Sequence, residues 1–287
     1  MRIFNFAVVV AAVGCVSSAG VAAAAPKDYC ADLKGGNTGT TCVIQLSDPS
    51  YNVNISIPLD YPDLKPVADY IAQTRDQFLN VAKTGAPRDT PNELDITPTE
   101  YNSAIPPRGT QAVVFKVYRN VGGAHPQTSF KAFNWDQSYR KPIVYDTAGD
   151  DKKTPLWRVD DPLKTVAPIV QAELQKQMAP PPPAAPPATP GQPAPSATPG
   201  QPAATAIPGQ PAATAAPGQP SVTATPTQTA TPIAIAPAAL YNPQNYQEFA
   251  VVNDGVIFFF GQGQLLPEAA GATQVLVPRS AIDPMIA

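Results

Sequence analysis

The chain has 287 residues, with Lys+Arg 19 against Asp+Glu 22 and a formal net charge of -3. So even a balance excludes a nucleic-acid surface held by counterion release and offers no polybasic patch to anionic lipid. Of the 37 Pro, 18 fall between Ala179 and Pro237, which leaves about 200 residues for a core: one sizeable domain, or two small ones sharing a sheet.

The N-terminus is laid out as an export signal. Arg2 is the only charge before Lys27, an apolar run follows from Phe4 to Val13, and small residues end in Ala22-Ala23-Ala24-Ala25. The apolar run is too short to span a bilayer, so residues 1–24 read as a leader cut between Ala24 and Ala25. A rival reading takes Val13-Gly14-Cys15 as the end of a lipoprotein box, with Cys15 lipidated and kept; Ala12 then stands where Leu is usual. If Cys15 leaves with the leader, Cys30 and Cys42 remain, and a pair in an oxidising compartment predicts a disulfide. The intervening Gly35-Gly36-Asn37-Thr38-Gly39 is turn chemistry. With no C-x-x-C spacing and His 1 in the whole chain, a redox or zinc role for these cysteines is disfavoured.

From Cys42 the pattern turns to strands. Tyr51, Val53, Ile55 and Ile57 alternate with polar residues, as on a strand with one buried and one wet face. Pro58 and Pro62 stop it, and Asp60 or Asp63 is placed to cap a helix in which Leu64, Val67, Ile71, Phe78, Leu79 and Ala82 keep helical spacing to about Lys83. Leu94 to Ile105 reads as a broken strand, Pro106-Pro107-Arg108-Gly109 as a turn and Gln111 to Tyr118 as a strong strand. Strands from Thr128 to Asp136 and Lys141 to Asp146 complete an antiparallel meander. The acidic turn Asp146 to Asp151 lacks EF-hand spacing and reads as solvated. A second helix covers Leu163 to Met178, either kinked at Pro168 or beginning near Ala167.

Then the composition changes. No charged residue stands between Lys176 and Glu248, and Pro-Gly-Gln-Pro recurs from Pro190, Pro199, Pro208 and Pro217. A Pro/Ala/Thr segment over 179–237 has no aromatic residue to bury and lacks many backbone donors, so it is expected to be a disordered loop insertion. Its Thr residues resemble the acceptors of O-mannosylation in secreted actinobacterial proteins. The helix before it and the most apolar stretch after it are expected to belong to one core, so that 25–178 and 238–287 are two parts of a single α+β domain. That apolar stretch is a hairpin: Phe249 to Asn253 and Val256 to Phe260 flank Asp254-Gly255, the dipeptide suited to a two-residue turn. The second arm is apolar at every position, which predicts a strand in the middle of a sheet. Gly261 to Gly271 is a loop, Gln274 to Val277 a last strand and Arg279 to Ile286 a final helical turn.

Asn253 to Phe260, Leu266-Pro267-Glu268-Ala269-Ala270-Gly271, Val275 to Pro278 and Gly122-Gly123-Ala124-His125 together resemble the C-terminal domain of unknown function carried by the lysozyme-binding anti-sigma factor RsiV. Longer segments, among them Tyr51 to Ser56, Tyr70 to Asp76, Ile105 to Val113 and Val277 to Asp283, are similar to the mycobacterial secreted immunogenic protein family, the MPT/MPB antigens. This resemblance covers nearly all of the expected mature chain except the Pro-rich insertion. It implies a β-grasp-like α+β fold, general secretion and no established enzyme activity; with the helices read above, an antiparallel or mixed sheet is expected to be covered by one long and one shorter helix.

No G-x-S-x-G elbow, P-loop, dinucleotide motif or zinc spacing is present, so no cofactor and no catalytic residue is expected. His125 sits in a turn that it is expected to hydrogen-bond. Asp150-Asp151 and Asp160-Asp161 read as solvated charge. The best candidate for binding is the loop after the hairpin, with Gln262, Gln264, Leu265 and Glu268. The resulting expectation is a secreted or cell-wall-associated, non-enzymatic module that binds a host or envelope protein, lysozyme-like by analogy with RsiV. Two alternatives stand beside it: an envelope hydrolase using His125 with carboxylates, and a wall protein spaced by the insertion.

Overall fold

The computed structural model of the chain describes residues 27–85, 88–105, 109–123, 125–179 and 235–286. The expected leader with Cys15 and the cut at Ala24 and Ala25, the Pro-Gly-Gln-Pro repeats and turn residues 106–108 lie outside them.

A short helix α1 (Tyr29–Asp32) leads into strands β1 (Gly36–Asn37), β2 (Thr41–Asp48) and β3 (Tyr51–Pro58). Helix α2 (Leu64–Thr84) then crosses over to β4 (Asn92–Ser103), which pairs parallel with β3. β5 (Thr110–Asn120), β6 (Gln127–Asp136) and β7 (Lys141–Val144) follow as the antiparallel meander, and β8 (Thr154–Pro155) pairs parallel with β7. These strands form one eight-stranded sheet in chain order. β4 is continuous where the sequence suggested a break. Its Pro98 lies beyond Ile96, the last residue paired with β3, so the missing N–H falls where β4 has no neighbour on that side. Asp63 occupies the N-cap position of α2, yet its carboxylate accepts no capping bond.

Helix α3 (Leu163–Met178) starts at Leu163 and not near Ala167, because Thr165 and Val166 both donate to the Pro162 carbonyl. Pro168 falls inside the helix, which forgoes one backbone bond there. After a short helix α4 (Pro237–Leu240) come β9 (Phe249–Val252), β10 (Gly255–Phe260), β11 (Thr273–Pro278) and α5 (Arg279–Ile282). β10 is the centre of a separate three-stranded sheet, ordered β11-β10-β9. The expected single sheet is therefore two.

Alternation along the strands shows how the layers stack. On β5, Val113, Phe115 and Val117 join Ile55, Leu94, Ile96 and the buried face of α2, Val67, Ile71 and Phe78. Ala112 and Val114, on the other face, meet Ala250 and Phe259 of the second sheet. Within the second sheet Phe259 and Ile257 point toward the first, while Val256, Phe258 and Phe260 point into a core with Val166, Val170 and Leu174 of α3. The order is helix, sheet, sheet, helix. β10 is apolar throughout because it has an apolar layer on each face. The α3 core draws on both sides of the segment 180–234, since it also contains Leu240 and Tyr246.

Two glycines are fixed by close approach. Cys30 and Cys42 form the expected disulfide, and a Cβ on Gly35 would lie 2.4 Å from the Cys42 Sγ. At the hairpin, Val252 pairs with Gly255, so the two-residue turn is Asn253-Asp254 and not Asp254-Gly255. Gly255 instead opens β10 at φ 152°, where a Cβ would lie 2.0 Å from the Val277 carbonyl oxygen. β11 can run this close only because the position has no side chain.

Candidate functional site

The loop after β10 is built onto the outer edge of β6. β6 pairs with β7 only from Asn134 to Asp136, so its earlier residues present unpaired backbone groups, the template for unwanted strand addition. The loop occupies that edge. Gln262 N donates to the Thr128 carbonyl at 2.9 Å, and Thr128 N donates to Gln262 Oε1 at 3.2 Å. Further along, Ala132 N donates to Glu248 Oε2, and Lys131 Nζ lies 2.8 Å from Glu248 Oε1. Gln264 tightens the loop from inside: its Oε1 accepts from Gly261 N at 2.8 Å, and its Nε2 donates to the Asn245 carbonyl at 3.2 Å. Leu265 is buried in the α3 core together with Leu266. Glu268 is exposed, with its side chain beside Gly263.

Of the four predicted loop residues, the structure thus brings Gln262 and Gln264 together at one place. There they border a cleft of about 360 Å³, which also takes Tyr70, Thr74 and Gln77 from α2 and Val117 and Arg119 from β5. Leu265 and Glu268 do not line it. Burial pushes the Tyr70 phenol above its ordinary range and Glu248 adds to this, while a hydrogen bond with Thr74 and the Arg119 guanidinium pull it back. At neutral pH the phenol is therefore a neutral donor and acceptor. Arg119 is the cleft's one charged residue. The cleft can hydrogen-bond and offer one cation; it holds no nucleophile beside a base.

His125 is exposed in the connection between β5 and β6, and it makes no hydrogen bond or ion pair with another described residue. Among the described residues the expected bond to its turn is not made, and the exposed ring is left to solvent. Asp150 Oδ1 instead accepts from Lys152 N, a turn contact that with Lys153 holds its carboxyl below the ordinary range. Among the described residues no group of three or more His, Cys, Asp or Glu is placed to hold a metal ion. No helix among them is long and apolar enough to cross a membrane.

Sequence reasoning missed Tyr70, Thr74, Gln77 and Arg119. On α2 and β5 these are ordinary polar positions of regular elements, and only the return of the chain more than a hundred residues later makes them a wall.

Comparison with known proteins adds the lineage. Residues 155–280 match the family described as a protein of unknown function, DUF3298. A DUF3298 family protein from Pseudomonas aeruginosa PAO1, solved by crystallography, aligns with 86% of this chain and 93% of its own at 10% identity and a TM-score of 0.44. A Mycobacterium tuberculosis protein named esterase Rv3036c is 35% identical over 265 residues, 92% of this chain and 91% of that one. Immunogenic protein MPT64 of Mycobacterium tuberculosis and immunogenic protein MPB64 of Mycobacterium bovis are each 51% identical over 288 residues, covering 100% of both chains. With that identity over its whole length, the chain belongs to the family of the mycobacterial immunogenic proteins MPT64 and MPB64.

Proposed function

We propose that the chain is an exported, non-enzymatic binding module that engages a host or envelope macromolecule, most simply a protein, through the cleft between α2 and the 261–264 loop. One observation carries this reading. The cleft is walled by four separate elements, and its loop is tied to the edge of β6 by the Gln262 amide and braced from inside by the Gln264 amide, so it is preformed and its binding surface needs little ordering. Lysozyme is the first partner to try, on the analogy with RsiV. The leader over 1–24 and the Thr-rich segment suit an exported, wall-proximal protein.

The test immobilises the oxidised chain and measures binding from serum, host-cell extract and envelope extract, with lysozyme and lipid vesicles as defined analytes. Saturable binding that falls at least about tenfold in Arg119→Glu, a reversal of the one charge in the cleft, supports the reading. Binding unaffected by Arg119→Glu and by Gln77→Ala places recognition elsewhere, and no partner for folded bait overturns it.

The esterase name of one relative favours a second reading, hydrolysis of an ester using His125. An exposed imidazole with no carboxylate or hydroxyl partner among the described residues is poorly prepared as a general base. Hydrolysis of p-nitrophenyl acetate that disappears in His125→Ala would establish that reading, and hydrolysis unchanged in the variant would remove His125 from it.

A further inference from the structure

Open strand edges in this fold are closed by side chains from elsewhere in the chain. Gln262 and Glu248 do this for β6. On β9 the outward carbonyls of Phe249 and Val251 accept from Asn134 Nδ2 at 2.6 Å and Thr110 Oγ1 at 3.4 Å, and on β11 the Gln274 carbonyl accepts from Gln177 Nε2 at 3.0 Å. The outer edge of β2 departs from this pattern. β1 pairs with β2 only at Cys42 and Val43, because the chain before Gly36 turns away at Lys34, held at φ 59°. Thr38 N donates to the Thr41 carbonyl and Leu59 N to the Thr40 carbonyl, so Thr41, Val43, Gln45 and Ser47 aim their backbone groups outward and the residues between them aim theirs at β3. At Gln45 and Ser47 these outward groups meet no other described residue.

The side chains beside the gap alternate. Ile44, Leu46 and Asp48 lie opposite Ile55, Val53 and Tyr51 on the face that α2 covers, while Gln45 and Ser47 lie opposite Asn54 and Asn52 on the wet face. Ile44 is buried, but Leu46 packs on the α2 core and stays half-buried at the rim. Asp48 is exposed. Its Oδ1 accepts from Ser50 N at 3.0 Å and from Ser50 Oγ at 2.8 Å, and its other oxygen bonds to no described residue. Lys83 acts on it electrostatically from above the Tyr51 ring, 5.8 Å from the ring centroid, without forming an ion pair with it.

These features restrict the partner. Residues two apart on a strand repeat at about 7 Å, and here each offers one donor and one acceptor. Water serves them in the free chain, and what replaces it must offer both an acceptor and a donor at that repeat. An anion meets only the donors and a cation only the acceptors, whereas a second backbone in extended form meets both. Beside Leu46 such a strand places an apolar residue and beside Asp48 a basic one, while its residues beside Gln45 and Ser47 are polar. The geometry points to the β2 edge as a docking site for an extended partner peptide of alternating apolar and polar residues, with a Lys or Arg at the position facing Asp48. The inference goes beyond the binding reading above and uses none of the residues of that cleft.

The experiment titrates the oxidised chain with the end-capped peptide Lys-Thr-Val-Thr-Val-Thr-Lys. A copy N-methylated at its threonines lacks the amides that would face Gln45 and Ser47, and a copy with Glu for Lys reverses the charge. NMR follows binding and amide hydrogen exchange. The parent peptide is expected to saturate the chain below about 1 mM and to slow exchange at Gln45 and Ser47 at least about tenfold. Both copies should bind about fivefold more weakly or worse. Gln45→Pro deletes an outward N–H that β3 does not use, a change that edge strands tolerate, and should abolish the protection at Ser47. Asp48→Asn is the second variant: it keeps an oxygen for Ser50 and loses the charge, so the Lys and Glu peptides should then bind within about twofold of each other. Arg119→Glu should leave peptide binding unchanged. Failure of the parent peptide to saturate the folded chain overturns the inference. So does equal binding of the N-methylated copy, protection confined to residues outside Ile44 to Asp48, or a preference for Lys over Glu that survives Asp48→Asn.

Discussion

Replacing Gly255 by Ala probes the one backbone position on which the second sheet closes. Two costs add there. An L side chain held at φ 152° is strained by on the order of 1–3 kcal/mol. The new Cβ would also lie 2.0 Å from the Val277 carbonyl oxygen and 3.0 Å from Arg279 N, both backbone atoms with little freedom to give way. β11 must therefore retreat from β10 at the Gly255 and Pro278 pair, which also endangers the bond of 2.7 Å from Arg279 N to the Asp254 carbonyl. That bond contributes about 1 kcal/mol net. Strain and the lost bond sum to about 2–4 kcal/mol, and the backbone clash adds to this, toward the range where point changes become diagnostic of a named mechanism. Gly123→Ala separates the two costs. Its φ is 133° and a Cβ there meets nothing within 4 Å, so it carries backbone strain alone, about 1–2 kcal/mol in a connection able to adjust. Urea unfolding of both variants, compared at a common slope, gives the difference directly. Equal losses would refute the argument that β11 makes Gly255 obligatory.

Replacing Cys30 and Cys42 together by Ser opens a loop of sequence separation 12 and is expected to cost about 3 kcal/mol in the chain-entropy model. Calorimetry should then show a midpoint lowered by about 6–12 °C, and an unmoved midpoint would refute a stabilising role. Phe259→Ala removes the ring that lies 5.7 Å from Tyr101 and 5.3 Å from Phe130 between the sheets; about 3–4 kcal/mol should be lost in denaturant titration, and a loss under about 1 kcal/mol would argue that the sheets are not held there. Burial, with Asp161 and Asp146 adding to it, pushes the Tyr145 phenol up to about 12. The unfolded chain ionises this group near pH 10 while the folded chain keeps its proton, so stability should fall as pH rises from about 10 to about 12. In Tyr145→Phe that fall, followed by thermal midpoint, should be shallower.

The sequence was most informative where a segment's environment repeats along the chain. Val53, Ile55 and Ile57 alternate and are buried on one face of β3, and Val67, Ile71 and Phe78 share one face of α2. Each pattern comes from a single adjoining layer, and periodicity reports one layer well. β10 tested the limit. Its unbroken apolar run reports that both faces are covered, but an apolar face is met equally by a helix or by another sheet. The run could place β10 in the middle of the fold without telling that Phe259 packs on β4 and β6 while Phe258 packs toward α3. The turn failed for a related reason. Asp254-Gly255 carries the local signal of a tight turn, yet the glycine is required by the carbonyl of Val277, 22 residues onward, and the register moves by one.

The candidate sites show the same division more sharply. Gln262 is a conspicuous polar residue in a loop, but what it does structurally was not readable, because its partner Thr128 lies 134 residues away in the chain. An amide side chain there serves two ends. It satisfies the backbone of an open strand edge, which would otherwise pair with another chain, and by holding the loop it creates the cleft against α2. The proposed binding surface and the protection of the strand edge thus rest on the same bonds, and Gln262→Ala should disturb both at once.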